Sequence, residues 1–511
     1  MGKKPLVLII LDGLGVGERT EVNAIHVADP PYLKYLEENY PYGALEASGI
    51  SVGLPWGEPG SSEVGHMTLG SGVVIYQNYP RISMSIRDGS FFENPVLKKI
   101  FTQARFGTHR IHLIGLLSYS NNESSLEHLR AVLEMAEREK FEDPLFLHLI
   151  ADGMGSKPKT LPSLLKEVPR EKLATLIGRT FALDHEGSWN KTRTAYEALT
   201  QDGPLEQNLE ARLENFFKLS PTEENLPPLR ILPDSRIKEG DCVLFFNFRE
   251  DTSKQLLEAL GEDSFGFFPR TNHPKTNIFT MTRYGEKYSF PTIFPPQKPT
   301  GGLAKVLAEN GKSQFRIAES EKYAHVTYYF NSMREEPYDG EFRVAIPAAT
   351  TLKLEEHPEM MSPAISDRVL PAISDKSFDF ILINYAPMDV AGHSGNFDIA
   401  VRSIKAVDAE VKRVVEATLH AGGAAVITSD HGNVERMFDP LTWRAETGHN
   451  SSPVPIYVVA EELKGRKFIS FGGVGINTIG SLADVSATIL DLIQIPKPPE
   501  IEGRSLLKEL L

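Results

Sequence analysis

The sequence contains one cysteine, Cys242, among its 511 residues. A single cysteine excludes a disulfide framework and any cysteine-rich zinc site. Basic residues are also in deficit, because 68 Asp and Glu outnumber 54 Lys and Arg and give a formal net charge of −14. A chain without a basic excess cannot release counterions from nucleic acid over a broad surface, so we expect no nucleic-acid partner. A local basic pocket for a small anion is still compatible with this charge.

Long hydrophobic runs are missing as well. The apolar run nearest the N-terminus covers residues 6–11 and ends at Asp12. A membrane-spanning helix needs about 20 apolar residues, and a secretory signal needs a longer apolar core followed by a cleavage site. Position 6 is Leu, which does not fit a myristoylation signal at Gly2. We therefore expect a cytoplasmic protein with no membrane partner.

The patterns that are present indicate an α/β protein. Residues 6–11, 378–389 and 424–433 each contain an aliphatic run that ends in polar residues, as buried parallel strands do. Between the last two runs, apolar residues recur at three- and four-residue steps, which predicts an amphipathic helix from an N-cap at Asp398 to the glycines at 422 and 423. A strand–helix–strand order favours a parallel sheet, whose ligands lie beyond the carboxyl ends of the strands.

The middle of the chain has strands of its own. Residues 110–117, 144–152 and 241–248 read as strands, residues 126–139 read as a helix, and the aromatic run 328–330 after them reads as another strand. A Pro-rich stretch over 290–302 predicts a boundary near Gln297, and residues 76–82 predict a weaker one near Gln77. If the first strand pairs with the C-terminal ones, residues 78–297 are an insertion into a domain made of 1–77 and 298–511.

A set of Asp and His residues lies at the predicted strand ends and in two nearby turns: Asp12, Asp389, His393, Asp430, His431 and His449. Asp389 and His393 are four residues apart, so on a helix they share one face and can bind one ion. A single Asp and His at this spacing, without other candidate ligands, more often lie on the protein surface and bind no metal. Several such elements at strand ends favour one or two divalent ions of the manganese or zinc type, because no thiolate is present.

Residues 57–72 are rich in Gly and Ser and allow two interpretations. Such clusters usually form flexible surface loops. Alternatively, Ser62 lies beside a metal ion that lowers the pKa of its hydroxyl and makes it a nucleophile. Ser61 is the other hydroxyl that the sequence leaves open.

Five blocks of sequence together carry a resemblance to a known family: LDGLG, SSEVGHMTLGSG, GHSG, SDHGN and TGH. The chain resembles the cofactor-independent phosphoglycerate mutases of the alkaline phosphatase superfamily. The resemblance implies a phosphatase-like metal-binding domain over 1–77 and 298–511 and an inserted transferase-like substrate domain over 78–297. It further implies a monomer with two divalent ions, manganese first and zinc or cobalt as alternatives, and no 2,3-bisphosphoglycerate cofactor.

The resemblance also assigns roles to residues. One ion would be held by Asp389, His393 and His449. The other ion would be held by Asp12, Ser62, Asp430 and His431. Ser62 would be the phosphorylated nucleophile, and Lys322 would contact the phosphate.

The substrate half departs from the family pattern. Glu123 stands where the family has a catalytic His, and Gly155 stands where it has an Asp. Three positions where the family has Arg carry other residues: Met154, Ser188 and Thr252. Arg179 and Arg249 remain. Since each charge-assisted hydrogen bond contributes roughly 1.5–3 kcal/mol, these exchanges predict poor binding of phosphoglycerate.

Three functions are therefore weighed. The first is phosphoryl transfer through Ser62 on a different small phosphorylated or phosphonate anion. The second is the ordinary interconversion of 3-phosphoglycerate and 2-phosphoglycerate in glycolysis, with Lys157, Lys159 or His128 replacing the lost groups. The third is a catalytically silent binding protein, which the intact set of metal ligands disfavours.

Overall fold

The computed structural model describes residues 3–297, 299, 301–348, 353–439, 442–466 and 477–510. The chain divides into two compact units. Unit 1 consists of Met1–Tyr76 and Lys298–Leu511, and unit 2 consists of Gln77–Gln297. Within the described residues, no helix is both long enough and apolar enough to span a bilayer.

Strands are distributed over both units. In chain order they are β1 (Leu6–Leu11), β2 (Tyr42–Glu46), β3 (Ile111–Leu117), β4 (Leu145–Ala151), β5 (Leu173–Gly178), β6 (Leu229–Arg230), β7 (Cys242–Phe245), β8 (Asn277–Thr282), β9 (Thr292–Phe294), β10 (Gln314–Glu319), β11 (Glu341–Ile346), β12 (Phe380–Tyr385), β13 (Ala424–Thr428), β14 (Val454–Val459) and β15 (Gly480–Ser481).

The α-helices are interspersed with these strands along the chain. They are α1 (Ala24–Ala28), α2 (Pro31–Asn39), α3 (Ser62–Ser71), α4 (Asn78–Asp88), α5 (Pro95–Phe106), α6 (Leu126–Arg138), α7 (Leu161–Leu164), α8 (Arg179–Ala182), α9 (Trp189–Thr200), α10 (Leu209–Leu219), α11 (Lys254–Gly261), α12 (Leu303–Glu309), α13 (Ser362–Ser374), α14 (Pro387–Ser394), α15 (Phe397–His420), α16 (Ala483–Leu492) and α17 (Leu507–Leu510). Short 3₁₀ turns cover Gly49–Val52, Ser90–Glu93, Arg170–Lys172, Ser320–Lys322 and Glu461–Leu463.

The described part of unit 1 is built on an eight-stranded sheet in the order β11-β10-β12-β1-β13-β14-β2-β15. Strand β1 lies in its middle and pairs in parallel with β12 and β13. The odd-numbered side chains from Val7 to Leu11 pack into one hydrophobic layer, and the even-numbered ones from Leu6 to Ile10 pack into the opposite layer. Because both faces are covered, β1 can be aliphatic along its whole length.

Unit 2 has its own seven-stranded sheet among the described residues, in the order β6-β5-β4-β3-β7-β8-β9. All neighbouring pairs are parallel except β5 and β6. Aliphatic and aromatic side chains fill a layer on each face. The predicted α/β class is confirmed, and both sheets are rich in parallel pairs, although β14 pairs antiparallel with β13 and β2 in unit 1.

Two local predictions were wrong, and of the two interpretations of residues 57–72 the flexible loop does not describe residues 62–71. Residues 62–71 form helix α3 rather than a loop, because Ser61 caps its first turn and Gly72 ends it in the left-handed conformation. The N-cap of α15 is Asn396, whose side chain accepts from the amide of Ile399 at 3.2 Å, rather than Asp398. The aromatic run at 328–330 belongs to a π-helical turn, His325–Tyr329, and its continuation.

Candidate functional site

The site of unit 1 is assembled at the carboxyl edge of its sheet. Asp12 follows β1, Asp430 follows β13, and Asp389 lies on α14 directly after β12. Lys322 ends the turn that follows β10. Because β10, β12, β1 and β13 are neighbours with parallel directions, these four side chains converge on one edge.

Ser62 enters this edge from helix α3, where it is the first residue, and its side chain is buried. The Oγ atom of Ser62 lies 2.9 Å from Nε2 of His431. Ser61 is used differently, since its Oγ accepts from the amide of Val64 at 3.3 Å and caps the helix. The N-terminus of a helix stabilises negative charge, so Ser62 is placed where an alkoxide or a phosphoryl group is favoured.

Lys322 joins the serine to two carboxylates. Its Nζ donates to Oγ of Ser62 at 3.0 Å and to Asp12 Oδ1 and Asp389 Oδ2 at 2.8 Å each. Burial alone would lower the pKa of Lys322, but the carboxylates of Asp12 and Asp389 raise that pKa above its ordinary value. The side chain is therefore an ammonium ion at neutral pH.

One group of metal-type ligands is formed by Asp389, His393 and His449. The Nε2 atoms of the two histidines are 3.0 Å apart, and they lie 3.3 Å and 3.2 Å from Asp389 Oδ1. The Nδ1 atoms face the carbonyl oxygens of Thr447 at 2.7 Å and Gly60 at 2.9 Å. A carbonyl only accepts, so each Nδ1 carries the hydrogen, and in the neutral form of each ring Nε2 then presents a lone pair. Three converging acceptors need a cation, and two imidazoles with one carboxylate are typical of divalent metals.

A second group is formed by Asp12, Asp430 and His431, all fully buried. Nε2 of His431 lies 3.6 Å from Asp12 Oδ1 and 3.5 Å from Asp430 Oδ2. Burial, and then the charge of Asp430, raise the pKa of Asp12. Among the described residues, three buried carboxylates, counting Asp389, meet one ammonium, that of Lys322, and buried charges are costly unless they are paired. This deficit of positive charge fits divalent cations bound at the two groups.

Further polar residues hold these ligands and were missed by sequence reasoning. Nδ1 of His66 lies 2.8 Å from the carbonyl oxygen of Ser62 and 3.2 Å from Asp430 Oδ2. Asn384 donates to Asp12 Oδ2 at 2.7 Å, and Asn433 donates to Asp389 Oδ1 at 2.9 Å. Only His66 had a usable signal, because it follows Ser62 by four residues and would share its face if the segment were helical.

The approach of α3 to the loop after β13 depends on Gly65. A Cβ atom on Gly65 would lie 2.5 Å from the carbonyl oxygen of Asp430 and 2.8 Å from its Cβ. Glycine therefore lets Ser62 and Asp430 come together in one site.

Unit 2 carries a polar cluster at the carboxyl edge of its own sheet. The buried Glu123 forms an ion pair with Arg179 through Oε1 and accepts from Thr252 Oγ1 at 2.6 Å through Oε2. Arg179 also donates to Asp152 Oδ1 at 2.6 Å. The amides of Met154 and Gly155 donate to the same oxygen at 3.2 and 3.0 Å.

The side chains of the remaining predicted substrate residues have other partners, although the amide of Arg249 donates to the carbonyl oxygen of Glu123 at 3.2 Å. Arg249 is half-exposed and forms a two-pronged pair with Asp251 at 2.7 and 2.9 Å. The amide of Ser188 donates to Asp184 Oδ1 at 2.8 Å at the start of α9. Within the described residues, Ser188 makes no hydrogen bond or ion pair with the Glu123 cluster.

The groups proposed as replacements make no hydrogen bond or ion pair with the cluster among the described residues. His128 is buried on α6, 2.9 Å from Ser83 Oγ, and burial lowers its pKa to about 3. The ammonium of Lys159 donates to the carbonyl oxygen of Phe217 at 3.4 Å. No hydrogen bond or ion pair joins His128, Lys157 or Lys159 to Glu123 or Arg179 in the described part of the chain.

Comparisons with known proteins identify the family of this chain. A model of the metalloenzyme superfamily matches residues 4–497. The 2,3-bisphosphoglycerate-independent phosphoglycerate mutase of Pseudomonas entomophila is 41% identical over 516 residues, covering 99% of this chain and 98% of that protein. The corresponding mutase 1 of Methanosarcina barkeri is 39% identical over 520 residues, covering 99% and 98%.

A solved structure shows the same relationship. The phosphoglycerate mutase of Leishmania mexicana, solved at low cobalt concentration, has a TM-score of 0.53 and 25% identity, covering 98% of this chain and 97% of that one. The resemblance predicted from the sequence blocks is thus confirmed. The chain belongs to the 2,3-bisphosphoglycerate-independent phosphoglycerate mutase family within the metalloenzyme superfamily and is a mutase-type enzyme.

Proposed function

We propose that this chain is a metal-dependent phosphoryl-transfer enzyme that acts through a phosphoserine on Ser62, on a small phosphorylated or phosphonate compound other than phosphoglycerate. The observation that carries the proposal is the contact of the Ser62 hydroxyl with both Lys322 and His431 at hydrogen-bond distance. Phosphoryl transfer to a serine needs charge to be stabilised on the attacking serine oxygen and on the oxygens of the phosphoryl group. Lys322 and His431 lie where they can stabilise these charges.

The residues around Ser62 would each have a defined role. The ammonium of Lys322 would bind an oxygen of the phosphoryl group, since it is fixed by two carboxylates and stays protonated. The backbone amides of the first turn of α3 would stabilise a phosphorylated Ser62. Burial of Ser62 excludes water from the attacking oxygen and favours transfer over hydrolysis.

Two divalent ions fit the same edge. One would be held by Asp389, His393 and His449, and the other by Asp12, Asp430 and His431 together with Ser62. Ligand sets of carboxylates and imidazoles without thiolates favour manganese, with zinc or cobalt as alternatives. When bound, such ions neutralise phosphoryl oxygens and lower the pKa of a serine hydroxyl.

The cluster in unit 2 supports a substrate other than phosphoglycerate. Arg179 is already bonded to Glu123 and Asp152, and Arg249 is already bonded to Asp251. Thr252 and Met154 stand where the family pattern has arginines, and Thr252 donates its hydroxyl to Glu123. The phosphate and the carboxylate of a phosphoglycerate would therefore find Arg179 and Arg249 already paired with carboxylates.

A second candidate function is the interconversion of 3-phosphoglycerate and 2-phosphoglycerate. It is favoured by the identity of about two residues in five with proteins named as phosphoglycerate mutases, over nearly the whole chain. The contacts of Arg179 and Glu123 weigh against it.

A turnover assay separates the two candidates. Purified protein with manganese is tested on a panel of phosphorylated acids, sugars and phosphonates by phosphate release and mass spectrometry, and on 3-phosphoglycerate by a coupled enolase assay. We expect turnover within the panel that Ser62→Ala abolishes and Ser61→Ala retains, with little enolase-coupled activity. Efficient conversion of 3-phosphoglycerate would establish the second candidate, and panel turnover unchanged in Ser62→Ala would reject the proposed mechanism.

A further inference from the structure

Unit 2 contains a cavity of about 220 Å³ beside the edge strand of its sheet. The cavity lies between the end of α9, the loop that follows it and the segment after β6, and its lining includes Gly203 and Arg230. The amide of Ile231 donates to the carbonyl oxygen of Ala174 at 2.8 Å, close to the start of β5. This contact places the cavity toward the amino edge of the sheet, whereas the Glu123 cluster lies at the carboxyl edge.

Arg230 brings to this cavity a guanidinium group that no carboxylate balances. Its Nη2 donates to the carbonyl oxygen of Glu197 at 2.8 Å, and its Nε is buried without a hydrogen-bond partner. Burial lowers the pKa of Arg230 more than the nearby carboxylates of Asp202 and Glu197 raise it. Within unit 2, whose residues the structure describes throughout, Arg230 forms no ion pair. A cation withdrawn from water in this way is costly until an anion meets it.

The carboxylates around the cavity have cations of their own. Oδ1 of Asp202 lies 3.1 Å from Nε of Arg236. Asp234 pairs with Lys238 through Oδ1 and lies 3.5 Å from Arg110 through Oδ2. Both carboxylates are largely exposed, whereas Nε of Arg230 is buried. The charge that stays unmatched at the cavity is therefore positive and lies on Arg230.

Gly203 keeps space open beside this guanidinium. A Cβ atom at position 203 would lie 2.6 Å from Nη1 of Arg230 and 2.9 Å from its Cζ. The cavity volume of about 220 Å³ is several times the ~30 Å³ that one water molecule occupies in the liquid. It is also smaller than the ~300 Å³ at the lower end of drug and cofactor sites. This size suits a small ion with its first waters, or a short ester, better than a nucleotide.

On this basis we propose that the cavity binds a small oxyanion, either inorganic phosphate or the phosphate group of a short ester, and that Arg230 is its main ligand. A guanidinium offers five N–H donors, and only one of those on Arg230 is bonded within the described protein. Charge-assisted bonds from arginine to phosphate are among the strong hydrogen bonds, and they supply the missing negative charge. This site is separate from the edge that holds Ser62, so the proposal does not depend on the chemistry there.

The melting temperature of the full chain, measured by scanning calorimetry, tests the proposal. Inorganic phosphate is added in a series and compared with sodium chloride of equal ionic strength. We expect wild type to show a saturable rise of about 2–4 °C with phosphate beyond the rise with chloride, because a ligand that binds only the native state stabilises it. Arg230→Gln should lose this component, and the difference between the two proteins excludes any phosphate bound elsewhere. The same series with glycerol 3-phosphate shows whether an ester is also accepted.

Two further variants separate a built site from a general effect of charge. Gly203→Ala keeps the charge of Arg230 but places a methyl group against Nη1, so it should lose most of the phosphate response. Arg212→Gln, on the exposed surface of α10, removes the same charge as Arg230→Gln and should keep the wild-type response. Circular dichroism checks the fold of each variant, and Gly203→Ala decides the matter if Arg230→Gln does not fold.

Three results would overturn the proposal. The first is a wild-type response to phosphate no larger than the response to chloride. The second is a wild-type response that persists in well-folded Arg230→Gln or Gly203→Ala. The third is an equal loss in Arg212→Gln and Arg230→Gln, which would show that only the net charge of the protein matters.

Discussion

The Nζ atom of Lys322 lies 3.0 Å from the hydroxyl oxygen of Ser62 in the buried edge of unit 1. The same ammonium bonds Asp12 and Asp389, one from each of the two groups of metal-type ligands. A single cation thus connects the proposed nucleophile to both groups. This places Lys322 where it can stabilise charge on a phosphoryl group that reaches Ser62.

Replacing Lys322 tests that role. Lys322→Met removes the ammonium and keeps most of the side-chain volume, and we expect kcat to fall on the order of 10²–10³-fold, the size of effect seen when one preorganised donor to transition-state charge is lost. Lys322→Arg retains the charge but not the compact geometry, so it should recover only part of the rate. Steady-state kinetics on the best substrate of the panel gives both values. Full activity in Lys322→Met would show that the ammonium is not needed.

Removal of metal should abolish activity and lower stability. A chelator is expected to eliminate turnover, and manganese added back should restore it and raise the melting temperature, since an ion that binds only the native state stabilises by about 2.7 kcal/mol at a concentration 100 times its Kd. His393→Ala should lose one equivalent of metal by plasma mass spectrometry. His420→Ala, at the exposed end of α15, is the control and should keep the wild-type content. Undiminished activity in chelator would contradict the metal requirement.

His66 is expected to position Ser62 and Asp430. Its ring contacts the backbone of one and the carboxylate of the other, and Asn384 lies 3.0 Å from its Nε2. In His66→Ala we expect kcat to fall with KM little changed, and the metal content to fall from two equivalents to one, because only the group that contains Asp430 is disturbed. Metal analysis and kinetics are measured together. Loss of both equivalents, or of neither, would argue for a general packing role instead.

Below pH 6.5, the free energy of unfolding should depend on His128. Burial lowers the pKa of His128 to about 3 from an ordinary 6.5, so between these pH values the unfolded chain takes up a proton that the native state does not. The contribution is complete above pH 6.5 and is lost as the pH falls toward 3. We measure the unfolding free energies of wild type and His128→Gln by chemical unfolding. As the pH falls from 6.5 toward 3, the wild-type value should drop relative to that of His128→Gln by up to about 1.4 kcal/mol per pH unit. A difference that stays constant with pH would contradict the assignment.

Much of the fold was accessible from the sequence because β1, β12 and β13 are covered on both faces and therefore read as unbroken aliphatic runs. Helix α15 was equally clear, since one face packs on the sheet and gives a regular apolar period. The short β15 and the π-helical turn at His325–Tyr329 carry no comparable pattern. Their conformation depends on tertiary packing, and the aromatic residues there have a strand propensity that the packing overrides.

The sequence predicted some of the site residues and missed others. Asp12 and Asp430 could be placed because they end recognisable strands, and Asp389 with His393 because of their four-residue spacing. Asn384, Asn433 and the pairing of Glu123 with Arg179 could not be placed, because each bond joins residues more than 40 positions apart. Helix α3 was obscured by its Gly and Ser residues, of which Gly65 allows the close approach to Asp430 and Gly70 the close approach to Phe330.

The most direct measurement of the central claim is the site of phosphorylation. Wild-type enzyme with manganese is mixed with its best phosphorylated substrate, quenched in acid within the first turnovers, digested and analysed by tandem mass spectrometry, with Ser61→Ala and Ser62→Ala alongside. The account predicts a phosphoryl group on Ser62 in wild type and in Ser61→Ala, and none in Ser62→Ala. An unmodified Ser62 in an enzyme that turns over, or a phosphoryl group on Ser61 instead, would contradict it.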